Sequence, residues 1–180
     1  MSNATTPSLV EVRYEHSPNF VDILSQLNVT LLFSTYQAGK LFAIGSHSGS
    51  IAISFYHFDQ AMGVAVGNGK IAVGSKRQIW FLKSAPELAA RIEPAGKYDA
   101  CYLTRSCHYT GAILGHELAW AGDELWVVNT LFSSLCTLHA DFSFVPSDEL
   151  VERRAAKDAR GAVDNLRYRG VATLDVDSQT

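Results

Sequence analysis

The chain has 180 residues, 47% of them hydrophobic, which is enough to form one ordinary domain with a buried core. Its net charge is −3 and only 18% of its residues are charged, so the composition argues against a nucleic-acid-binding protein. The sequence contains neither a secretory signal pattern nor an apolar run of about 18 residues, and therefore predicts a cytoplasmic protein that does not bind membranes.

The N-terminal part of the chain is predicted to contain a loose leader and one short helix. Residues 1–16 form the leader. Ser17 then matches a helix N-cap, with Pro18 at the first helical position. The apolar side chains between Phe20 and Leu27 fall on one helical face, and the helix is expected to end near Asn28.

After this helix the pattern changes to short apolar runs with the two-residue period of β-strands, separated by turn residues. The predicted strands are Thr30–Tyr36, Lys40–Gly45, Ile51–Tyr56, Met62–Val66, Lys70–Gly74, Ile79–Leu82, Leu118–Trp120, Glu124–Asn129 and Leu135–His139.

Three segments share a hairpin pattern, in which a glycine-containing turn lies between two apolar runs. They are Phe33–Gly45, Val64–Ser75 and Leu118–Asn129, and the second contains Asn68-Gly69, the preferred pair for a type I′ turn. Their average spacing is close to the roughly 40 to 50 residues of a propeller blade. We therefore predict a mainly β fold, a partial β-propeller-like array of antiparallel hairpins, with a β-sandwich as the alternative.

The Gly-Lys pair at Lys40 has the appearance of a phosphate-binding loop, but the required pattern is incomplete. Ser34 stands at the position of the first glycine, Leu41 follows the lysine where Ser or Thr is needed, and a strand follows where a helix is needed. A hairpin turn is the better interpretation.

The segment Tyr98–Trp120 is the strongest candidate for a functional site, because it is predicted to be a loop bounded by strands and is rich in polar residues. Histidines with neighbouring carboxylates can bind a divalent metal, although the spacing of these histidines matches no established motif. The structural alternative is that Arg105 and His108 form hydrogen bonds with backbone groups where two blades meet. The candidate binding residues are Arg105, His108, Thr110, His116, Glu117 and Asn129, and the weak metal-ligand candidates are Asp99, Glu117 and Asn129.

Several blocks resemble an uncharacterised bacterial family of conserved hypothetical proteins, assigned to a domain of unknown function. They are STYQAGKLFAIG, FDQAMGVAV, RQIWFL, RSCHYTG, HELAWAGDELWVVNTLFSSL and SFVP, and the resemblance runs from Asn28 to Pro146. It implies a β-propeller-like fold in a chain about twice this length, with no established activity. The positions matching the family pattern are Arg105, His108, Thr110, Gly111, His116, Asn129, Thr130 and Phe132.

Two departures from the family pattern weaken a metal site inferred from the resemblance. Ala112, Ile113 and Leu114 replace residues that the family usually has as acidic, and Ser134 stands where the family tends to have cysteine. Beyond Pro146 the sequence changes to a charge-dense segment, SDELVERRAAKDARGAVDNLRYRG, in which Ser147 could cap a helix. We therefore predict a propeller-like domain over residues 17–146 that forms an incomplete ring, and a tail over residues 147–180 unlike the family. A truncated or frameshifted end and a natural short variant remain as alternatives.

The sequence favours a binding or interaction module whose partner is an unknown small molecule or protein, with no nucleic acid, no membrane and no cofactor indicated. Catalytic residues are not identifiable. Exposed apolar faces and strand edges of an incomplete ring are expected to promote self-association or instability. Two alternatives are a metal-dependent hydrolase or lactonase of the propeller type and a truncated, non-functional fragment.

Overall fold

The computed structural model describes residues 13–67 and 69–147. The predicted leader through residue 12, the turn residue Asn68 and the tail from residue 148 lie outside the described residues. The described part is mainly β, as predicted, with three antiparallel sheets preceded by one helix. Within it, no helix has the length and apolar character needed to cross a membrane.

Helix α1 comprises Phe20–Leu27 and lies against the second strand of the first sheet. The prediction that Ser17 caps this helix and that Pro18 is its first residue is wrong, because the N-cap is Asn19 and its side chain makes no capping hydrogen bond. The predicted end is confirmed. Asn28 adopts the left-handed conformation, with φ 50°, and its N–H donates to the Ser25 carbonyl at 3.2 Å.

Each sheet is a meander, in which strands that follow one another in sequence are neighbours in space. The first sheet contains β1 (Leu31–Thr35), β2 (Lys40–His47) and β3 (Ser50–His57). The second contains β4 (Val64–Gly67), β5 (Lys70–Gly74), β6 (Gln78–Ser84) and, after the short helix α2 (Pro86–Ala89), β7 (Tyr102–Tyr109). The third contains β8 (Gly115–Ala121), β9 (Glu124–Asn129), β10 (Ser134–His139) and β11 (Ser143–Pro146).

All three predicted hairpins are present, joining β1 to β2, β4 to β5 and β8 to β9. Gly39 has a φ of 58°, and a Cβ atom there would lie 2.8 Å from the Phe58 carbonyl oxygen, so this turn requires glycine. The Gly-Lys pair is therefore a turn followed by a strand, as the sequence indicates.

The prediction that Tyr98–Trp120 is a loop is wrong over most of its length. It contains the whole of β7 and nearly all of β8. Strand β7 is the last strand of the second sheet, and most of its side chains are exposed. An exposed edge strand lacks the alternation of buried apolar residues from which strands are identified in sequence, and this explains the error.

The core has two parts, one on each face of the second sheet. Alternate residues of β5 separate them, since Val73 faces the first sheet and Ala72 faces the third, and neither has any exposed surface. The first core contains Leu41, Phe58, Ala61, Ile71, Val73 and Leu82. The second core contains Ala65, Ala72, Ile79, Ile113, Leu118, Leu125, Val127 and Cys136.

Candidate functional site

His108 connects the outer strands of two sheets. It lies on β7, and its Nε2 donates a hydrogen bond to the Ser143 carbonyl oxygen on β11 at 2.5 Å. This is the kind of contact with a backbone group that the structural alternative predicts for His108. Arg105 lies on the same strand and is exposed.

Thr110 lies immediately after β7, in the connection from the second sheet to the third. Its side chain is buried, its N–H donates to the Arg77 carbonyl at 2.9 Å, and its hydroxyl donates to the Gly111 carbonyl at 2.9 Å. The same connection contains Ile113, whose carbonyl accepts a hydrogen bond from the Leu131 N–H at 3.1 Å. The connection that follows the RSCHYTG block is thereby joined to the turn formed by the VNTLFSSL block.

Asn129 ends β9 and organises that turn. Its side chain is 0% exposed, and its Oδ1 accepts a hydrogen bond from the Phe132 N–H at 3.2 Å. Among the described residues, its Nδ2 has no hydrogen-bond partner, and neither has the Oγ of Ser134, which pairs with Asn129 in the sheet. The nearby Cys136 thiol donates to the Val127 carbonyl at 3.5 Å, and burial raises the pKa of this thiol to about 11, while Asn129 acts in the opposite direction. We call residues 110–114 and 129–134 the corner.

His116 and Glu117 lie at a β-bulge in β8, between Gly115 and Glu117 in the pairing with β9. Both side chains are exposed by their surface area. The carboxylate of Glu117 nevertheless lies close enough to the protein to lose part of its hydration, which raises its pKa, while the adjacent His116 acts in the opposite direction.

The three metal-ligand candidates do not share one site. Asp99 lines a cleft of about 210 Å³ between the end of α1, the β2–β3 turn and the loop before β7, and neither Glu117 nor Asn129 lines it. Glu117 pairs with Val128 and shares its face of the third sheet, so the next residue, Asn129, faces the other way. The described part of the chain contains no group of three or more His, Cys, Asp or Glu side chains that could hold a metal ion. Lys97, Tyr98 and His47 also line the cleft.

The structure also gives the location of an apolar surface whose residues the sequence analysis did not identify, on the face of the first sheet directed away from the second. Cross-strand pairing places Phe33, Phe42 and Phe55 in one row, with ring centroids 5.0 and 5.5 Å apart. Lys40 lies beside the row, its Nζ 5.0 Å from the centroid of Phe55. We call this the phenylalanine face, and its residues are Leu31, Phe33, Lys40, Phe42, Ile44, Ile53 and Phe55.

A signal for this face exists in the sequence. The strand segments LLFST, KLFAIG and SIAISFY have apolar residues at consecutive positions, so both faces of the sheet are apolar. Such runs are typical of strands covered on both sides. The position of the face at the end of the array becomes evident only from the packing of the sheets.

The third sheet also has a face directed away from the second, which we call the tryptophan face. Trp126, Val128 and Leu135 are partly exposed there, and Glu117 and Glu124 lie on the same face. The opposite face of this sheet contributes Leu118, Leu125, Val127 and Cys136 to the second core. The first and third sheets, which we call the terminal sheets, are therefore each buried on one face only.

A comparison with protein-family models matches residues 18–158 to the Domain of unknown function (DUF4915). The match includes both sequence blocks that meet at the corner, and it extends beyond Pro146. A search of the curated proteins finds no match, and neither does a search of the solved structures.

Proposed function

The chain belongs to the family of this domain of unknown function, and we propose that it is a non-enzymatic binding module of the β-propeller type. The propeller arrangement is supported by the order of the sheets. The first strands of consecutive sheets are neighbours, β1 beside β4 and β4 beside β8, and each meander continues outward from there. Blades of a propeller are arranged around their axis in the same way.

The observation that carries the binding function is the exposure of apolar side chains on the terminal sheets. On the phenylalanine face, Leu31 is 45% exposed and Phe55 is 48% exposed, whereas the second sheet contributes buried residues from both faces. Contiguous exposed apolar surface commonly marks a site where another molecule binds. The phenylalanine face is therefore the proposed binding surface.

The positions of the motif residues also support a binding module over a metal-dependent hydrolase. His108, Thr110 and Asn129 make hydrogen bonds within the protein, between sheets or within the corner. A hydrolase of the proposed kind requires its ligands to converge on one metal ion. Asp99 and Asn129 lie in different surroundings, the first at the cleft and the second buried in the third sheet.

Site-specific photo-crosslinking tests the binding function. Benzoylphenylalanine is introduced in place of Phe55 or, as the matched control, in place of Tyr56, which is on the opposite face of the same strand and is 60% exposed. Because Tyr56 is more exposed than Phe55, exposure alone cannot favour position 55. We expect a discrete protein adduct in illuminated cells from position 55 and not from position 56. Absence of any adduct, or the same adducts from both positions, would contradict the proposal.

A further inference from the structure

We propose that the partner of the phenylalanine face is the tryptophan face of a second copy of this chain, so that two chains close one ring through two equivalent contacts. This inference rests on the proposed binding function. The described part of each chain contains three sheets, so two copies of it contain six, a number within the usual range of propellers. A two-fold axis relates the contacts and leaves neither apolar face uncovered.

The charges on the two faces are complementary. The phenylalanine face has Lys40 at its edge, and its described residues include no Asp or Glu. The tryptophan face has Glu117 and Glu124, and no Lys or Arg occurs among the residues that the structure describes there. Complementary charge at the rim of an apolar contact favours one partner and one orientation.

The contact between the second and third sheets indicates how the two faces would align. Lys70 begins β5 directly after its hairpin turn, and its Nζ lies 5.9 Å from the ring of Trp120 in the third sheet. Glu124 occupies the same position in the third sheet, at the beginning of β9 after its own hairpin turn. If the third sheet packs against the first sheet of a second copy as the second sheet packs against the third, Glu124 lies at the β1–β2 hairpin of that copy. Lys40 supplies the opposite charge there.

A second copy suits these faces better than the C-terminal tail of the same chain. The tail sequence begins DELVERRAAKDAR and has charged residues throughout, whereas covering an apolar face requires apolar side chains. The tryptophan face, by contrast, presents Trp126, Val128 and Leu135. The two faces are therefore matched in both charge and polarity.

Charge reversal in the full chain tests this arrangement. Sedimentation velocity over a concentration series is expected to show a dimer for the unchanged chain. Lys40→Glu and Glu124→Lys should each weaken dimerisation about tenfold or more, because each places like charges together at both contacts. Lys83→Glu reverses the charge of an exposed lysine away from both faces and should leave dimerisation unchanged.

An equimolar mixture of Lys40→Glu and Glu124→Lys distinguishes a specific contact from misfolding. In a mixed dimer, one contact joins the two substituted side chains, whose charges are both reversed and therefore still opposite. The other contact joins the unchanged Lys40 and Glu124, so both contacts regain opposite charges. We expect the mixture to dimerise about as strongly as the unchanged chain. A monomeric unchanged chain, or a mixture no stronger than its components, would overturn the inference.

The crosslink from position 55 separates this inference from the proposed function. An adduct of twice the chain mass, containing a peptide from β8, β9 or β10, supports the second copy. An adduct with a different protein, or a link to the tail within one chain, overturns the second copy. The adduct with a different protein still supports the binding function, whereas the absence of any adduct contradicts both the binding function and the second copy.

Discussion

Glu117 combines an exposed position with a carboxyl pKa raised by partial loss of hydration. Because the pKa of this carboxyl is higher in the folded chain than in the unfolded chain, it ionises more easily in the unfolded chain. The protonated Glu117 therefore contributes its full stability at pH values below the unfolded pKa. That contribution is lost as the pH rises through the folded pKa. The ordinary value for this group is 4.5, so the loss begins near this pH and continues above it.

We therefore expect Glu117→Gln to be more stable than the unchanged chain at pH 7, because glutamine remains neutral. The difference should disappear near pH 4, where the glutamate is also largely protonated. The urea midpoint at the two pH values measures the effect at a fixed protein concentration. Glu87→Gln serves as the control, since a negative charge in the first turn of α2 is favourable and its removal should not raise the midpoint. An equal rise for both variants would contradict the explanation.

The corner illustrates what residue patterns could and could not predict. Thr110 and Asn129 were identified as positions of interest, but their burial was not, because polar residues are usually exposed. The corner in which they lie is held together by hydrogen bonds between segments about 20 residues apart, such as the one from the Leu131 N–H to the Ile113 carbonyl. A single sequence contains no direct information on such contacts. The proposed roles in binding and in metal coordination stay predictions.

Gly63 and Gly74 allow the first strands of the second and third sheets to approach closely. The Gly63 N–H donates to the Gly115 carbonyl at 3.4 Å, and a Cβ atom at Gly74 would lie 3.1 Å from the same oxygen. At Gly63, a Cβ atom would lie 2.9 Å from Cγ of Leu118 and 3.0 Å from its backbone nitrogen. Separations this short cannot be relieved without moving β8.

We expect Gly63→Ala to reduce the free energy of unfolding by about 1–3 kcal/mol through overpacking. Amide hydrogen exchange in β8 should also become faster, because the strand is displaced from its neighbour. Gly49→Ala is the matched control, since a Cβ atom there meets nothing within 4 Å and only the φ of 72° is unfavourable. Gly49→Ala should lower the free energy of unfolding only through this φ angle, and amide exchange in β8 should stay unchanged. Unchanged exchange in β8 of Gly63→Ala would refute the packing argument.

At the scale of elements, strands with alternating apolar residues and glycine-containing turns were predicted correctly. Examples are the three hairpins whose second strands begin at Lys40, Lys70 and Glu124. β7 and β11 were missed, and each is a largely unburied strand at the outer edge of its sheet. The hydrophobic pattern identifies strands that are buried on at least one face. The position of an edge strand depends on backbone hydrogen bonds to the neighbouring strand. The local pattern of polar and apolar residues does not encode these bonds.

The whole molecule is organised around the second sheet, because both cores use it. Val73 in the first core and Val127 in the second are each 0% exposed, so truncating either side chain leaves a cavity. We expect Val73→Ala and Val127→Ala each to reduce the free energy of unfolding by roughly 2 kcal/mol. If the sheets unfold together, each substitution must destabilise both cores and not only the one in which it lies.

Tryptophan fluorescence can follow the two cores separately. Trp80 packs against the first core and Trp120 against the second, so two versions of the chain retain one of these residues, with the other tryptophans changed to phenylalanine. Val73→Ala should lower the urea midpoint by the same amount for both reporters, and Val127→Ala should do likewise. Protein concentration must be held constant, because association would raise the apparent stability. If a substitution shifted the urea midpoint of the nearer reporter only, the two cores would unfold separately. The second sheet, which they share, would then not couple them.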